Sequence, residues 1–214
     1  MRVLVLYAHP LPESFNAATH QAVLAGLAAA GHTVDDCDLY AEGFNPVLSP
    51  EERRHYHDLT VNRLPVARYV DRLLAAEGLV LVFPTWCFSM PAILKGWFDR
   101  VLLPGVSFTL GKDGIARPAL THLQRIAGVV TYGRPRWNAL LVADPPRMAV
   151  TRYLRMLNAA RARIEYHALY DMNRATEARR RAFLARGERA VAARGGGLRQ
   201  HRHQRGGRAE DVGG

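Results

Sequence analysis

Short, nearly continuous runs of Val, Leu and Ile alternate with helix-like segments along this chain, and that alternation constrains the fold more than any other feature. Strands covered on both faces have such unbroken apolar runs, whereas half-exposed strands alternate apolar and polar residues. Strict β–α alternation with five strands predicts a parallel sheet between two layers of helices. The predicted strands are 2–8, 33–39, 78–84, 125–132 and 163–169, and the predicted helices are about 15–30, 64–77, 90–103, 148–161 and 174–193.

The segment 79–103 is apolar and aromatic over a length that could cross a bilayer. Pro84 and Pro91 interrupt it, however, and three charged residues lie within 95–100. A single helix buried in lipid would tolerate neither feature well. We therefore predict a strand, a loop and a helix with Ser89 as its N-cap, and no membrane insertion.

Two connections are longer than the minimum that the β–α alternation needs. The connection 40–63 is long, and 104–114 has the composition of an excursion or a hairpin. Gly111 and the Asp113–Gly114 pair supply the turn residues that a hairpin requires.

The positive charge of the chain is concentrated near its C-terminus. The formal net charge is +10, but residues 174–214 contain eleven Arg and only four acidic residues, whereas residues 1–173 are close to neutral. The last part, 194–214, is rich in Gly and Arg and poor in apolar residues, so we predict a disordered tail after one folded domain, 1–193. The near-neutral body gives no indication of a specific nucleic-acid partner.

Cysteine and histidine usage indicates neither a disulfide framework nor a metal site. Cys37 and Cys87 are the two cysteines, and they fit no CxxC spacing, so a reducing, cytoplasmic location is expected. The His-x-His segments 55–57 and 201–203 lack the further ligands that a metal site needs, and we interpret them as surface histidines.

The first βα connection, 9–18, excludes the common nucleotide-binding motifs. It contains no glycine, so it is not the GxGxxG turn of a dinucleotide-binding sheet, and the chain also lacks a P-loop and the GxSxG elbow of hydrolases. Instead, His9, Ser14 and Asn16 stand at the start of a predicted helix, where backbone amides and the helix dipole favour an anion. Ser14 would also be explained as a simple N-cap, and both interpretations stay open at this point.

Two further loops are expected at the same edge of the sheet. The loop 85–90 follows the third strand and is unusually aromatic, which fits either a ligand site or packing against a neighbouring subunit or loop. The loop 131–137 follows the fourth strand and contains a glycine and two arginines. A ligand with a phosphate and a large planar ring would use all three loops, which indicates a flavin nucleotide.

These same segments resemble a known family. The sequences YAHPLPESFNAA, DLYAEGFNPVLS and FPTWCFSMPAILKGWFDRV closely resemble the NAD(P)H:quinone oxidoreductases, and the likeness extends over about residues 2–185. The resemblance implies a flavodoxin-like three-layer α/β sandwich with a five-stranded parallel sheet in the order 2-1-3-4-5. It also implies a bound flavin, with FAD favoured over FMN, NAD(P)H as co-substrate, and a homodimer with active sites at its interface.

The resemblance assigns cofactor-binding residues to the three loops. It implies a phosphate-binding turn, a loop along the isoalloxazine ring and a loop on the pyrimidine side of the ring. The first comprises His9, Ser14, Phe15, Asn16 and Ala17; the second Pro84, Thr85, Trp86, Cys87 and Phe88; the third Thr131, Tyr132, Gly133 and Arg134.

Several positions depart from the family pattern. Cys87 stands where many members have Trp, and Tyr132 and Arg134 replace smaller residues. The segment 144–147 occupies the region of the Tyr and His proposed as a charge relay in the mammalian enzymes, so no proton-relay residue is assigned. We expect backbone amides around Gly133 and Arg134, and the Arg134 side chain, to stabilise charge near flavin N1/O2.

The resulting hypothesis is an enzyme that moves a hydride from NAD(P)H through bound flavin to a quinone or a similar planar acceptor. Arg134 and Arg136 are candidates for binding a 2′-phosphate of NADPH, and exposed solvated arginines are the alternative. A flavin-binding regulatory subunit of a membrane transporter of the potassium-efflux type is the second hypothesis. A one-electron flavodoxin carrier fits less well, because such carriers are acidic and have a Ser/Thr-rich phosphate loop.

Overall fold

The computed structural model describes residues 1–192, and the predicted tail, 194–214, lies outside them. Five parallel strands form the main sheet, in the order β2-β1-β3-β6-β7. They are β1 (Arg2–Tyr7), β2 (Thr33–Asp38), β3 (Gly78–Pro84), β6 (Arg125–Thr131) and β7 (Arg163–Leu169). Numbered among themselves these strands run 2-1-3-4-5, which confirms the predicted topology and the flavodoxin-like three-layer sandwich.

The predicted hairpin is also present. β4 (Phe108–Leu110) pairs antiparallel with β5 (Ala116–Pro118) outside the main sheet. Gly114 closes the turn with a φ of +72°, a conformation that L side chains rarely adopt. The Gly111 amide donates to the Ile115 carbonyl oxygen across this turn at 3.0 Å.

The apolar strands have a core on both faces of the sheet. All seven residues of β3 are buried. On β1, Val3 and Val5 face one core and Leu4 and Leu6 face the other, because successive side chains of a strand point to opposite faces. The unbroken apolar runs therefore arise from helices that cover the sheet on each side.

Helices of unequal length form the outer layers. The main ones are α1 (Phe15–Ala29), α2 (Pro50–Arg54), α3 (Ala67–Ala75), α4 (Ala92–Val101) and α8 (Glu177–Ala192). α1 and α8 pack closely on one face, since a Cβ on Gly26 would lie 2.9 Å from the Glu188 Cα and closer still to its carbonyl oxygen. α3 and α4 contribute to the core on the opposite face, where Trp97 of α4 is fully buried.

One predicted helix is confirmed only in part, and one predicted helix cap was wrong. The helix predicted over 148–161 ends at residue 157: α6 (Pro145–Met148), a π-helical turn (Ala149–Tyr153) and α7 (Leu154–Leu157) follow one another without a break, and a separate short helix, α5 (Arg136–Leu141), precedes them. Ala159 and Ala160 have left-handed φ values, so the chain turns there instead of continuing the helix.

Ser89 does not cap α4, contrary to the prediction. Its backbone closes a tight turn with Trp86, and Pro91 occupies the N-cap position without a side-chain hydrogen bond. The segment 79–103 is thus strand, turn and helix. Within residues 1–192, no helix is long and apolar enough to span a bilayer.

Candidate functional site

A cleft of about 280 Å³ opens at the carboxyl ends of four neighbouring strands. Parallel sheets bind ligands at this edge because the loops after adjacent strands converge there. The loops after β1, β3, β6 and β7 all contribute to it. Its lining residues are His9, Ser14, Phe15, Asn16, Pro84, Thr85, Trp86, Thr131, Gly133, Met172 and Asn173.

The first wall of the cleft is the amino end of α1. Ser14 is the N-cap, and its Oγ accepts from the Ala17 amide at 3.0 Å. In the described part of the chain, the amides of Phe15 and Asn16 donate no hydrogen bond, as expected for the first turn of a helix. Ser14 is therefore a cap, at a helix terminus whose free amides suit an anion.

His9 adds a neutral donor to this wall. Its Nδ1 accepts from the Leu11 amide at 3.1 Å, so the neutral ring carries its proton on Nε2. Burial lowers the pKa of His9, although its hydrogen bond with Leu11 and the nearby Glu13 oppose that shift. The imidazole also contacts Trp86 edge-on, with ring centroids 5.8 Å apart, which fixes its orientation at the mouth of the cleft.

Asn16 connects the first wall to the end of β6. Its side chain is 3% exposed, and Nδ2 donates to Thr131 Oγ1 at 2.9 Å. Its Oδ1 is buried and has no hydrogen-bond partner among the described residues. A buried acceptor without a partner costs about 1–3 kcal/mol, so this oxygen indicates a ligand donor or an ordered water in the cleft.

The loop after β3 is a two-residue turn of type I′. The amide and carbonyl groups of Trp86 and Ser89 pair with each other at 3.1 and 2.9 Å. Cys87 and Phe88 occupy the two central positions with φ values of 50° and 58°. This turn normally takes Asn and Gly, and each L side chain here costs about 1–2 kcal/mol. The strain lies at the rim of the cleft, and strained backbone is frequently found at functional sites.

The third wall is formed by the loop after β6. The Thr85 amide donates to the Thr131 carbonyl oxygen at 2.8 Å and joins this wall to the β3 loop. Among residues 1–192, neither the Gly133 nor the Arg134 amide donates a hydrogen bond, so both can serve a ligand acceptor. None of the described residues that line the cleft is acidic, so these walls carry no negative charge that would repel an anion.

Nine of the fourteen predicted cofactor-binding residues line the cleft, and five do not. Ala17 caps the turn through its amide, and Arg134 is exposed beside the cleft. Cys87 and Phe88 lie at the tip of the turn, where Cys87 is exposed and Phe88 half-buried. The Tyr132 side chain points into the core, where its hydroxyl donates to Asp144, so its part in the site is confined to its backbone.

Met172 and Asn173 form a fourth wall that the sequence analysis missed. They follow β7, whose predicted end at residue 169 places the next loop at the same edge of the sheet. The rule that was applied to the first, third and fourth strands would have found them at the fifth.

A larger pocket of about 790 Å³ lies on the other side of the same turn, and it shares His9 and Ser14 with the cleft. Its walls carry three carboxylates, from Glu13, Asp36 and Asp38, which disfavour a phosphate group. The described residues contain no group of three or more His, Cys, Asp or Glu placed to hold a metal ion. The smaller cleft is therefore the better anion site.

Comparisons with known proteins identify the family of this chain. A family model described as "flavodoxin-like fold" matches residues 1–191. An uncharacterised NAD(P)H oxidoreductase of Escherichia coli, YcaK, is 31% identical over 67% of this chain and 65% of its own length. A ribosyldihydronicotinamide dehydrogenase [quinone] of Pongo abelii is 36% identical over 51% of this chain and 54% of its own length. The chain thus spans about half to two thirds of these curated relatives.

Solved structures show the same architecture over most of the chain. An NAD(P)H:quinone oxidoreductase from Methanothermobacter marburgensis matches with a TM-score of 0.75 and 26% identity, over 90% of this chain and 96% of that one. An FMN-dependent NADH-azoreductase from Bacillus anthracis in complex with FMN shares the fold, with a TM-score of 0.72 over 89% and 97% of the two chains, at only 14% identity. The chain therefore belongs to the flavodoxin-like family whose model matches it, and proteins similar to it are named NAD(P)H oxidoreductases and quinone reductases.

Proposed function

We propose that the protein is a flavin-dependent NAD(P)H oxidoreductase that reduces quinones or similar planar acceptors. The observation that carries the proposal is the cleft itself, in which anion donors, a buried free acceptor and an aromatic wall meet at one edge of the sheet. The names of the relatives support the reaction class. They give no support to a regulatory subunit of a membrane transporter.

The residues of the cleft fit a flavin nucleotide. The first-turn amides of α1, the Ser14 hydroxyl and His9 Nε2–H supply donors for its phosphate. Asn16 Oδ1 is a buried acceptor that a donor of the ligand would satisfy. Trp86 supplies an aromatic wall for a planar ring.

When bound, the flavin supplies the chemistry of accepting a hydride from NAD(P)H and passing it to the acceptor. The chain's own contribution is orientation and charge stabilisation. The free amides of Gly133 and Arg134 would donate to the ring edge where negative charge develops. Arg134 and Arg136 are exposed beside the cleft and could hold a 2′-phosphate, which would favour NADPH over NADH.

The flavin is FAD or FMN, and the sequence-based preference for FAD is not supported, because the flavin named in the descriptions of the solved structures is FMN. Extraction of the flavin from purified protein and its mass will identify it. The proposal predicts one tightly bound flavin per site. A protein that is colourless and takes up neither FMN nor FAD contradicts the proposed function.

A homodimer is part of the proposal. Large apolar side chains are exposed near the cleft: Trp86 on its rim, and Trp137, Leu140 and Leu141 of α5, which follows the β6 loop. A second copy would bury such a patch. Light scattering during gel filtration tests it, and a monomer at micromolar concentration contradicts it. A cytoplasmic location also stays a proposal, supported by two unpaired cysteines.

A further inference from the structure

The chain turns sharply between α5 and α6 at two residues with left-handed backbone. Ala143 and Asp144 have φ values of 60° and 45°. Each costs about 1–2 kcal/mol in an L residue, so the surrounding structure must hold them in place. The turn brings the Asp144 side chain into the interior, where the residue is 3% exposed.

The Asp144 carboxylate accepts hydrogen bonds from two tyrosines that come from different strands. Tyr132, directly after β6, donates to Oδ1 at 2.5 Å, and Tyr170, directly after β7, donates to Oδ2 at 3.0 Å. The Tyr132 hydroxyl also contacts the Tyr166 hydroxyl, and the Arg147 guanidinium lies 5.4 Å from the centre of the Tyr166 ring. We call these five residues the Asp144 cluster.

The tyrosine hydroxyls of the Asp144 cluster stay protonated and keep donating their hydrogen bonds. Burial raises the pKa of Tyr132, and its neighbours Tyr166 and Asp144 raise it further. Burial and Asp144 likewise raise the pKa of Tyr170. The carboxylate is therefore tied to both strand ends by charge-assisted hydrogen bonds, the strong kind in proteins.

Each tyrosine adjoins one wall of the cleft. Tyr132 lies between Thr131 and Gly133, and Tyr170 lies two residues before Met172. The Met172 amide donates to the Tyr132 carbonyl oxygen at 2.9 Å, so the two walls are joined directly behind the cleft. Where they meet, a Cβ on Gly133 would lie 3.3 Å from Asn173 Nδ2, which shows how closely they approach.

We propose that Asp144 is a positioning residue that sets the spacing between the β6 wall and the β7 wall of the cleft, through Tyr132 and Tyr170. Asp144 does not line the cleft, so its role would be indirect. It acts by holding the free amides at Gly133 and the side chain of Asn173 at the separation that a planar ring requires. The inference rests on the proposed flavin function.

The test compares Asp144→Asn and Tyr170→Phe with a control variant, Glu52→Gln. The control breaks a buried ion pair with Arg100 that lies outside the cleft, so it destabilises the fold without touching either wall. Apoprotein of each variant is titrated with FMN and with FAD. Circular dichroism of the bound flavin is recorded at saturation. Thermal melts of the apoproteins measure how far each variant is destabilised, so that flavin binding is compared between variants of similar stability.

Asp144→Asn is expected to weaken flavin binding about tenfold and Tyr170→Phe about threefold, and both should change the flavin dichroism. The double variant should lose little more than Asp144→Asn alone, because both substitutions break the same link. Glu52→Gln should leave both readouts as in the wild type.

Wild-type affinity and dichroism in Asp144→Asn would overturn the proposal, as would an equal loss in Glu52→Gln. If Asp144→Asn does not fold, Tyr170→Phe decides the question, because it removes a single hydroxyl and keeps the ring. Wild-type protein that binds neither flavin refutes the proposed function itself. That result is distinct from flavin binding that is insensitive to Asp144.

Discussion

Substituting Asn16 by Asp tests whether an anion binds at the amino end of α1. The two side chains have nearly the same shape, and the Thr131 hydroxyl can donate to the new carboxylate in place of the present bond from Asn16 Nδ2. That hydrogen bond is therefore kept. The substitution adds a negative charge at a site that is 3% exposed and has no acidic neighbour among the described residues of the cleft walls, so the apoprotein should also lose stability.

The expected loss of affinity is large because the charge is buried. For a phosphate held by the α1 amides at roughly 5 Å, two like charges at an effective dielectric constant of 20 repel by about 3 kcal/mol. Flavin affinity should fall by on the order of 100-fold. The control is Gln21→Glu, which adds the same charge at an exposed position on α1 that does not line the cleft. At roughly 10 Å in water its cost is about 0.4 kcal/mol, or about twofold.

Quenching of flavin fluorescence on titration with apoprotein measures both constants, and thermal melts of the apoproteins check the fold. Wild-type affinity in Asn16→Asp refutes the placement of the phosphate. An equal loss in Gln21→Glu shows that overall charge, and not the α1 terminus, governs binding.

Three other substitutions test the packing, the electrostatics and the rim of the cleft. Gly26→Ala should lower the free energy of unfolding by about 1–3 kcal/mol, because its Cβ would overlap the backbone of α8. The control is Gly187→Ala on α8, which should be tolerated because the nearest atom to its Cβ would lie at 3.7 Å. Urea denaturation measures the free energy of unfolding of both variants. Burial raises the pKa of Glu52, but hydrogen bonds from the α2 N-cap and from Arg100 outweigh burial and lower it. The stability that this carboxylate adds is therefore present above about pH 4.5 and is lost as the pH falls through the lower pKa of the folded state. Melts of Glu52→Gln from pH 7 to pH 3 should show a gap from the wild type that narrows with acid, and a constant gap would contradict this. Cys87→Trp should change the ratio of kcat/KM between bulky and small quinones by roughly threefold, while flavin affinity stays within about twofold. An unchanged ratio would show that this turn does not contact the acceptor.

The sheet could be predicted from the sequence because strands that are buried on both faces consist almost entirely of apolar residues. Val80–Phe83 are apolar without interruption, and the observed strand ends at Pro84, as the apolar run does. The segment 148–161 was predicted less well, because its course depends on left-handed residues such as Ala159, for which an alanine gives no local signal.

The candidate site was predictable where chemistry and position coincided. Ser14 and Asn16 stand out as polar residues at a helix start, and both line the cleft. Tyr132 was assigned by its place in a motif, yet its side chain turns inward to Asp144, a contact across twelve residues that no local pattern encodes. Side-chain direction in a loop depends on such tertiary partners.

The central claim is that the cleft holds a flavin that NAD(P)H reduces and a quinone reoxidises. Purified protein, reconstituted with flavin if necessary, is followed by visible absorbance under anaerobic conditions. The account predicts a yellow protein that bleaches on addition of one equivalent of NAD(P)H and recovers its colour with one equivalent of quinone. A bound flavin that NADH and NADPH both leave oxidised would contradict it.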